Sequence, residues 1–227
     1  MTSARLPQLM ITSNPKPLLR LYGLTSFDRS AKVRWLLTEL GLEFEDRWLD
    51  LDKKEFESAD FLQLNPMGRV PVLVTDDGAI SESGAICAYL ADRYLDKGLA
   101  PQISSPARAR YQQWMYFADA TLERIQSRMM IIEDIPASEL RTEKEETLFR
   151  DLEASLAALD QTLTKDSFLI SNRFSAADIA VSYQLYWCGL WSELNAVIQK
   201  YPSVTSYLDR MKKMPSALTA NVFSYQE

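Results

Sequence analysis

Residues 68–90 read GRVPVLVTDDGAISESGAICAYL, and three signals succeed one another there. Val70, Val72 and Val74 alternate with Pro71, Leu73 and Thr75, which predicts a short apolar strand bounded by turn formers. Asp76-Asp77-Gly78 is a hairpin signal, acidic turn residues and then a glycine free to take positive φ. Ala79 and Ile80 start a return strand. Glu82-Ser83 then open an apolar helix over 85–94.

Two features fit a plain hairpin poorly. Pro71 sits inside the expected strand, where it cannot donate a ladder hydrogen bond. Such a proline belongs on an edge or in a cis bond, and either leaves neighbouring backbone groups free for another partner. The Glu82-Ser83 pair sits where helix amides point outward and the dipole favours an anion. A small peptide-like ligand would suit both features, with its carboxylate on the Ser83 amide and hydroxyl and its ammonium on Glu82. The alternative is an ordinary hairpin feeding a capped helix.

The pattern Val70-Pro71-Val72-Leu73 and then Glu82-Ser83-x-Ala85-Ile86 resembles the glutathione-binding half of the cytosolic glutathione S-transferase family, in its bacterial-type, serine/cysteine-like branch. The resemblance implies that Pro71 is cis. It also implies that the Val70 backbone pairs with the cysteinyl unit of glutathione, and that Glu82-Ser83 hold the γ-glutamyl end.

Working outward, residues 19–24 read as a first strand and 25–29 as a polar loop. A helix over 31–40 comes next, with Val33, Leu36, Leu37 and Leu40 on one face and Gly41 as its stop. A second strand over 44–51 is parallel to the first because a helix joins them. Residues 53–61 form a charged connection, and 65–68 a turn into the central stretch. The order β-α-β-(α)-β-β-α resembles a thioredoxin-like domain. Residues 97–106 read as a linker, and the chain then turns helical. One long helical pattern runs over 107–132 and a second over 138–163, with Leu148, Leu152, Leu156, Leu159 and Leu163 at core spacing. Ser175 and Asp178 stand at capping-box spacing before a very apolar helix over 179–190, resembling the N-capping motif of the family's second domain. The expected organisation is therefore a lead-in over 1–18, poorly ordered, an α/β thioredoxin-like glutathione-binding domain over 19–96, the linker 97–106, and an all-α C-terminal domain over 107–227.

Composition narrows the chemistry. The chain has 227 residues and a formal net charge of −6, which disfavours nucleic acid or an anionic membrane as the main partner. No apolar run reaches the roughly 18 residues of a membrane span, and the N-terminal segment has no signal-peptide pattern. Two distant cysteines, Cys87 and Cys188, with no Cys-x-x-Cys, point to a cytoplasmic chain without a disulfide framework. The absence of histidine removes Ser-His-Asp triads, Cys-His dyads and His-ligated metal sites. No metal is expected.

A free thiol has a pKa of about 8.5, so donating a hydrogen bond to the sulfur favours the reactive thiolate. In the family the donor is a Tyr, Ser or Cys just after the first strand. Counting back from Lys32-Val33-Arg34, that position falls on Phe27, which cannot donate. Ser26 and Ser30 are the leading substitutes and Thr25 the third, each also suited to a plain loop or capping role; Tyr22 reads as a strand residue. Arg69 could reach the glycyl carboxylate, as could Lys53 or Lys54. Asp119 lies where some family members place an acid near the γ-glutamyl ammonium of the neighbouring subunit. Tyr111, Trp114, Met115, Ala118 and Trp191 could line an apolar second-substrate pocket, although a Met and aromatic stripe is more often core. The resemblance implies a homodimer that conjugates reduced glutathione to small apolar electrophiles. Phe27 motivates a rival, a non-catalytic interaction module on the same scaffold; a glutathione-dependent reductase or peroxidase is another.

Overall fold

The computed structural model describes residues 19–225; the lead-in over 1–18 lies outside them. A four-stranded mixed sheet is built from β1 (Leu19–Gly23), β2 (Phe44–Trp48), β3 (Val72–Thr75) and β4 (Gly78–Ser81), in the order β2-β1-β3-β4. β1 and β2 are parallel, from Leu19 opposite Phe44 to Gly23 opposite Trp48, as their joining helix α1 (Ser30–Glu39) requires. β3 runs antiparallel to both neighbours, with Leu21 opposite Leu73 and Thr75 opposite Gly78. Gly78 has φ +119° at the hairpin, and Gly41, at φ +68°, stands just past the end of α1, a region side-chain-bearing residues avoid.

β3 begins at Val72, two residues later than the valine pattern suggests. Pro71, without an N–H to give, lies just outside the ladder at the mouth of an inner strand, and the Val70–Pro71 bond is cis. The connection over 53–61 becomes a 3₁₀ turn, Glu55–Glu57, and then α2 (Ala59–Leu64), capped by the Ser58 hydroxyl accepting from the Phe61 N–H. α3 (Ser83–Arg93) closes this half.

The second half is helical: α4 (Ala107–Tyr116), α5 (Glu123–Glu133), α6 (Glu139–Leu163), α7 (Ala176–Cys188), α8 (Ser192–Ile198), α9 (Pro202–Lys212) and α10 (Pro215–Thr219). The periodic pattern over 107–132 is continuous but not uniform, since a π-helical segment, Phe117–Leu122, joins α4 to α5. The leucine stripe of α6 is buried throughout. At the start of α7 the capping box is formed. Asp178 accepts from the Ser175 N–H and hydroxyl, both at 2.9 Å, and from the Leu169 N–H at 2.9 Å and the Tyr207 hydroxyl at 3.2 Å. Four donors on one buried carboxylate tie the α6–α7 loop, α7 and α9 to a single point.

α1 lies between the two halves. Val33, Leu36, Leu37 and Leu40 are buried as their spacing predicts, but so are Lys32, Arg34 and Trp35, because α7 and α10 cover the side away from the sheet. Trp35 Nε1 donates to Ser216 Oγ at 2.9 Å, and its ring lies 5.4 Å from that of Phe223. Among the described residues no helix is long and apolar enough to cross a membrane.

Candidate functional site

A cavity of about 200 Å³ opens where the β3 mouth, the start of α3 and the π segment meet, lined by Arg29, Asn65, Met67, Arg69, Val70, Pro71, Glu82, Ser83, Asp119 and Glu123. The two motifs of the central stretch thus face one space. Val70 has no hydrogen-bonding partner for its N–H or C=O among the described residues, and lies on the cavity wall. Val70 is only partly buried, so these groups are open to a ligand or to water. Glu82, the residue before α3, holds φ +68° and ψ +109°, a conformation that a non-glycine residue keeps only where its surroundings impose it. Among the described residues its exposed side chain makes no ion pair, and the Ser83 hydroxyl, at the first residue of the helix, has no partner. The arrangement offers an anion hydroxyl and helix amides, and offers a cation the Glu82 carboxylate.

Asn65 builds the floor. It is buried, its Nδ2 donates to the Arg69 carbonyl at 2.7 Å and its Oδ1 accepts from the Met67 N–H at 3.1 Å. Sequence reading assigned Asn65 only a turn role; an Asn before a proline carries no mark of a cavity. Arg69 is exposed at the rim. Lys53 and Lys54 are exposed on the preceding loop and do not line the cavity; Lys53 pairs with Asp50 at 2.8 Å.

Asp119 reaches the cavity from the π segment of the same chain. Its Oδ1 accepts from Lys32 Nζ at 2.7 Å, and the Lys32 side chain is fully buried. Its other oxygen lies so close to α3 that a Cβ on Gly84 would fall 1.8 Å from it. A π turn inserts an extra residue into the helix and re-aims the side chains beyond it; here it lies where Asp119 bridges Lys32 and the start of α3.

The loop after β1 is organised by Asp28. Its Oδ2 accepts from the Leu24 and Thr25 N–H groups at 2.6 and 2.7 Å, and its Oδ1 from the Ser30 N–H at 2.6 Å. Thr25 Oγ1 accepts from the Asp28 N–H at 3.0 Å. Ser30 is fully buried against Gly23, where a Cβ would stand 2.5 Å from its Oγ, and that oxygen accepts from Arg34 at 3.3 Å. Ser26 has no hydrogen-bonding partner among the described residues, but none of Thr25, Ser26 and Ser30 lines the cavity. Phe27 is turned away: its ring packs 5.0 Å from Tyr225 and 6.2 Å from Trp187, and its carbonyl accepts from the Tyr183 hydroxyl at 3.0 Å. This apolar anchor between the halves explains a phenylalanine in that loop.

Of the nominated second-substrate residues, Trp114 and Ala118 are buried and line no groove among those described, Trp114 packing on Phe117 at 5.0 Å. Trp191 precedes α8, partly buried. Tyr111 and Met115 border a separate groove of about 150 Å³ between α3 and α4, which Asp119 also lines. Tyr22 is half-buried with its ring 5.7 Å from Phe61. Burial pushes the Cys87 and Cys188 thiols up to about 12.

Comparison with known proteins agrees with this fold. Residues 17–92 match the family model for the glutathione S-transferase N-terminal domain, and 118–210 that for the C-terminal domain. Glutathione S-transferase GstB of Escherichia coli strain K12 is 32% identical over 199 residues, 83% of this chain and 93% of that one. Protein LigF of Sphingobium sp. strain SYK-6 is 29% identical over 233 residues, 87% and 91% of the two chains. A solved glutathione transferase from Methylococcus capsulatus str. Bath superposes with a TM-score of 0.75 at 30% identity, over 89% of this chain and 97% of that one. With the mixed sheet, the helical second half and both family models in register along its length, the chain belongs to the glutathione S-transferase family.

Proposed function

We propose that this protein binds reduced glutathione in the cavity between Val70 and Glu82-Ser83 and transfers it to small apolar electrophiles. The observation that carries this reading is the placement of Val70's unpaired backbone and the free Ser83 hydroxyl on one cavity wall. In the bound state the Val70 N–H and C=O pair with the cysteinyl backbone. The γ-glutamyl carboxylate takes the Ser83 hydroxyl and amide, its ammonium sits against Glu82 and Asp119, and Arg69 meets the glycyl carboxylate.

The reaction is nucleophilic attack by the glutathione thiolate. A C–S bond forms at the electrophilic carbon, and the leaving group departs with its electron pair. Holding the thiolate beside the second substrate replaces an encounter in solution, an effect that supplies a large part of such rate enhancements. The deeply buried Cys87 and Cys188, with their raised thiols, speak against disulfide exchange through the protein's own cysteines. Assembly as a homodimer and a cytoplasmic location belong to the same proposal.

The test is calorimetric titration with reduced glutathione, the Glu82→Ala variant beside the parent. Binding in the micromolar-to-millimolar range by the parent, lost in the variant, is the expected result. Absence of binding by the parent overturns the reading and redirects attention to an interaction module.

A further inference from the structure

The position expected to carry a thiolate-stabilising hydroxyl holds Phe27, packed against Trp187 and Tyr225. Thr25 and Ser30 accept hydrogen bonds within their own loop and helix, and Ser30 is fully buried. Of the loop between β1 and α1, the residue on the cavity wall is Arg29, in the same lining as Val70 and Pro71. Its side chain is 51% exposed, and its Nε donates to Glu123 Oε1 at 2.5 Å. Neither Nη group has a hydrogen-bonding partner among the described residues. The guanidinium is fixed at one edge and free at the other.

Its anchor is built in. The second oxygen of Glu123 accepts from Gln184 Nε2 at 2.8 Å. Gln184 lies 1% exposed in the apolar helix α7, where a polar side chain is expensive unless it has a task. A chain of two hydrogen bonds, Gln184 to Glu123 and Arg29 to Glu123, therefore runs from the centre of the helical half to the cavity. Both Glu123 oxygens are engaged, so that carboxylate is held in place as the anchor of the guanidinium.

We infer that Arg29 is the catalytic group that stabilises the glutathione thiolate, with Glu123 and Gln184 as its positioning residues. The inference rests on the glutathione reading of the cavity. A guanidinium holds its charge throughout the working pH range and presents several donors in a plane. Set next to sulfur, it favours the ionised thiol by charge as well as by hydrogen bonding. No proton passes to the arginine: the thiol proton leaves to solvent, and Arg29 holds the anion until its electron pair attacks.

The experiment measures the ultraviolet absorbance of the bound thiolate against pH in parent, Arg29→Gln, Arg29→Lys and Gln184→Leu, each saturated with reduced glutathione. Calorimetry with reduced and S-methyl glutathione runs in parallel. Arg29→Gln is expected to raise the bound thiol's pKa by about one unit and to lower kcat/KM about tenfold below that pKa. Arg29→Lys should keep part of the shift, and Gln184→Leu should move the pKa in the direction of Arg29→Gln by less. Affinity for S-methyl glutathione, which has no ionisable sulfur, should be unchanged in Arg29→Gln. An unaltered thiol pKa in Arg29→Gln, with binding intact, overturns the inference and leaves the glutathione reading standing. Equal losses for both ligands also overturn it, by showing that Arg29 grips a carboxylate. Failure of the parent to bind either ligand overturns both.

Discussion

Replacing Gly84 by alanine should unlock the buried charge pair that joins the halves. A Cβ at position 84 would stand 1.8 Å from Asp119 Oδ2 and 3.0 Å from its Cγ, so the carboxylate has to turn away. Asp119 can rehydrate, since its side chain is 35% exposed; Lys32, at 0%, cannot. The variant thus leaves a lysine buried without its counter-ion, a change that costs about 3 kcal/mol at the lower end of the range for broken buried pairs. For a chain of this length that corresponds to a fall in Tm of roughly 6–12 °C. Urea and thermal unfolding, monitored by circular dichroism, measure it. The mechanism is tested by repeating Gly84→Ala in a Lys32→Met background. Methionine fills a similar volume without the charge, and Asp119 is then free to swing out, so the coupling between the two changes should be about 2 kcal/mol. An unchanged urea midpoint in Gly84→Ala, or the same loss in both backgrounds, would refute the reasoning.

Two other measurements test the packing. Burial raises the Asp178 carboxyl to about 6 from 3.8, against the opposing pull of its four donors. The folded state therefore holds that proton more tightly than the unfolded chain, and this group's contribution is full below pH 3.8 and lost as the pH rises through about 6. The stability deficit of Asp178→Asn relative to the parent should thus be largest near the acid end of that window and level off above it; a deficit that grows with pH in urea titrations contradicts the assignment. Cys87 and Cys188, buried and with thiols pushed up to about 12, should be silent to Ellman's reagent in the native protein, and both should react in denaturant. A fast-reacting native thiol would reopen disulfide-exchange chemistry.

Local signals carried most of the fold. Asp76-Asp77-Gly78 marked the hairpin, Gly41 the end of α1, Ser175 with Asp178 the start of α7, and all are found in those roles. Their physics lies within a few residues, so a linear reading can see it. The cavity's backbone features were legible for the same reason, since Pro71 cannot sit in a ladder and Glu82-Ser83 precede an apolar helix. The pairs that bind the halves were not. Lys32 meets Asp119 across 87 positions, and Arg29 meets Glu123 across 94. Lys32 reads as a solvated residue until α7 is known to cover that face. The π segment was invisible as well, because one extra residue per turn hardly disturbs an apolar pattern over 107–132. Phe27 looked like a lost catalytic residue because its partners, Trp187 and Tyr225, lie in the distant helical half.

The position of α1 bears on how this architecture can be cut and recombined. The helix belongs by sequence to the first half, yet Lys32, Trp35 and the loop ahead of it are completed by side chains from α7, α10 and the π segment. The first half expressed alone would present a naked tryptophan and a stranded ammonium to solvent, while the second would lose the surface on which its aromatic residues close. The two halves are therefore expected to melt together as one cooperative unit. A chimera that exchanges one of them between relatives has to transplant the α1 contacts along with it.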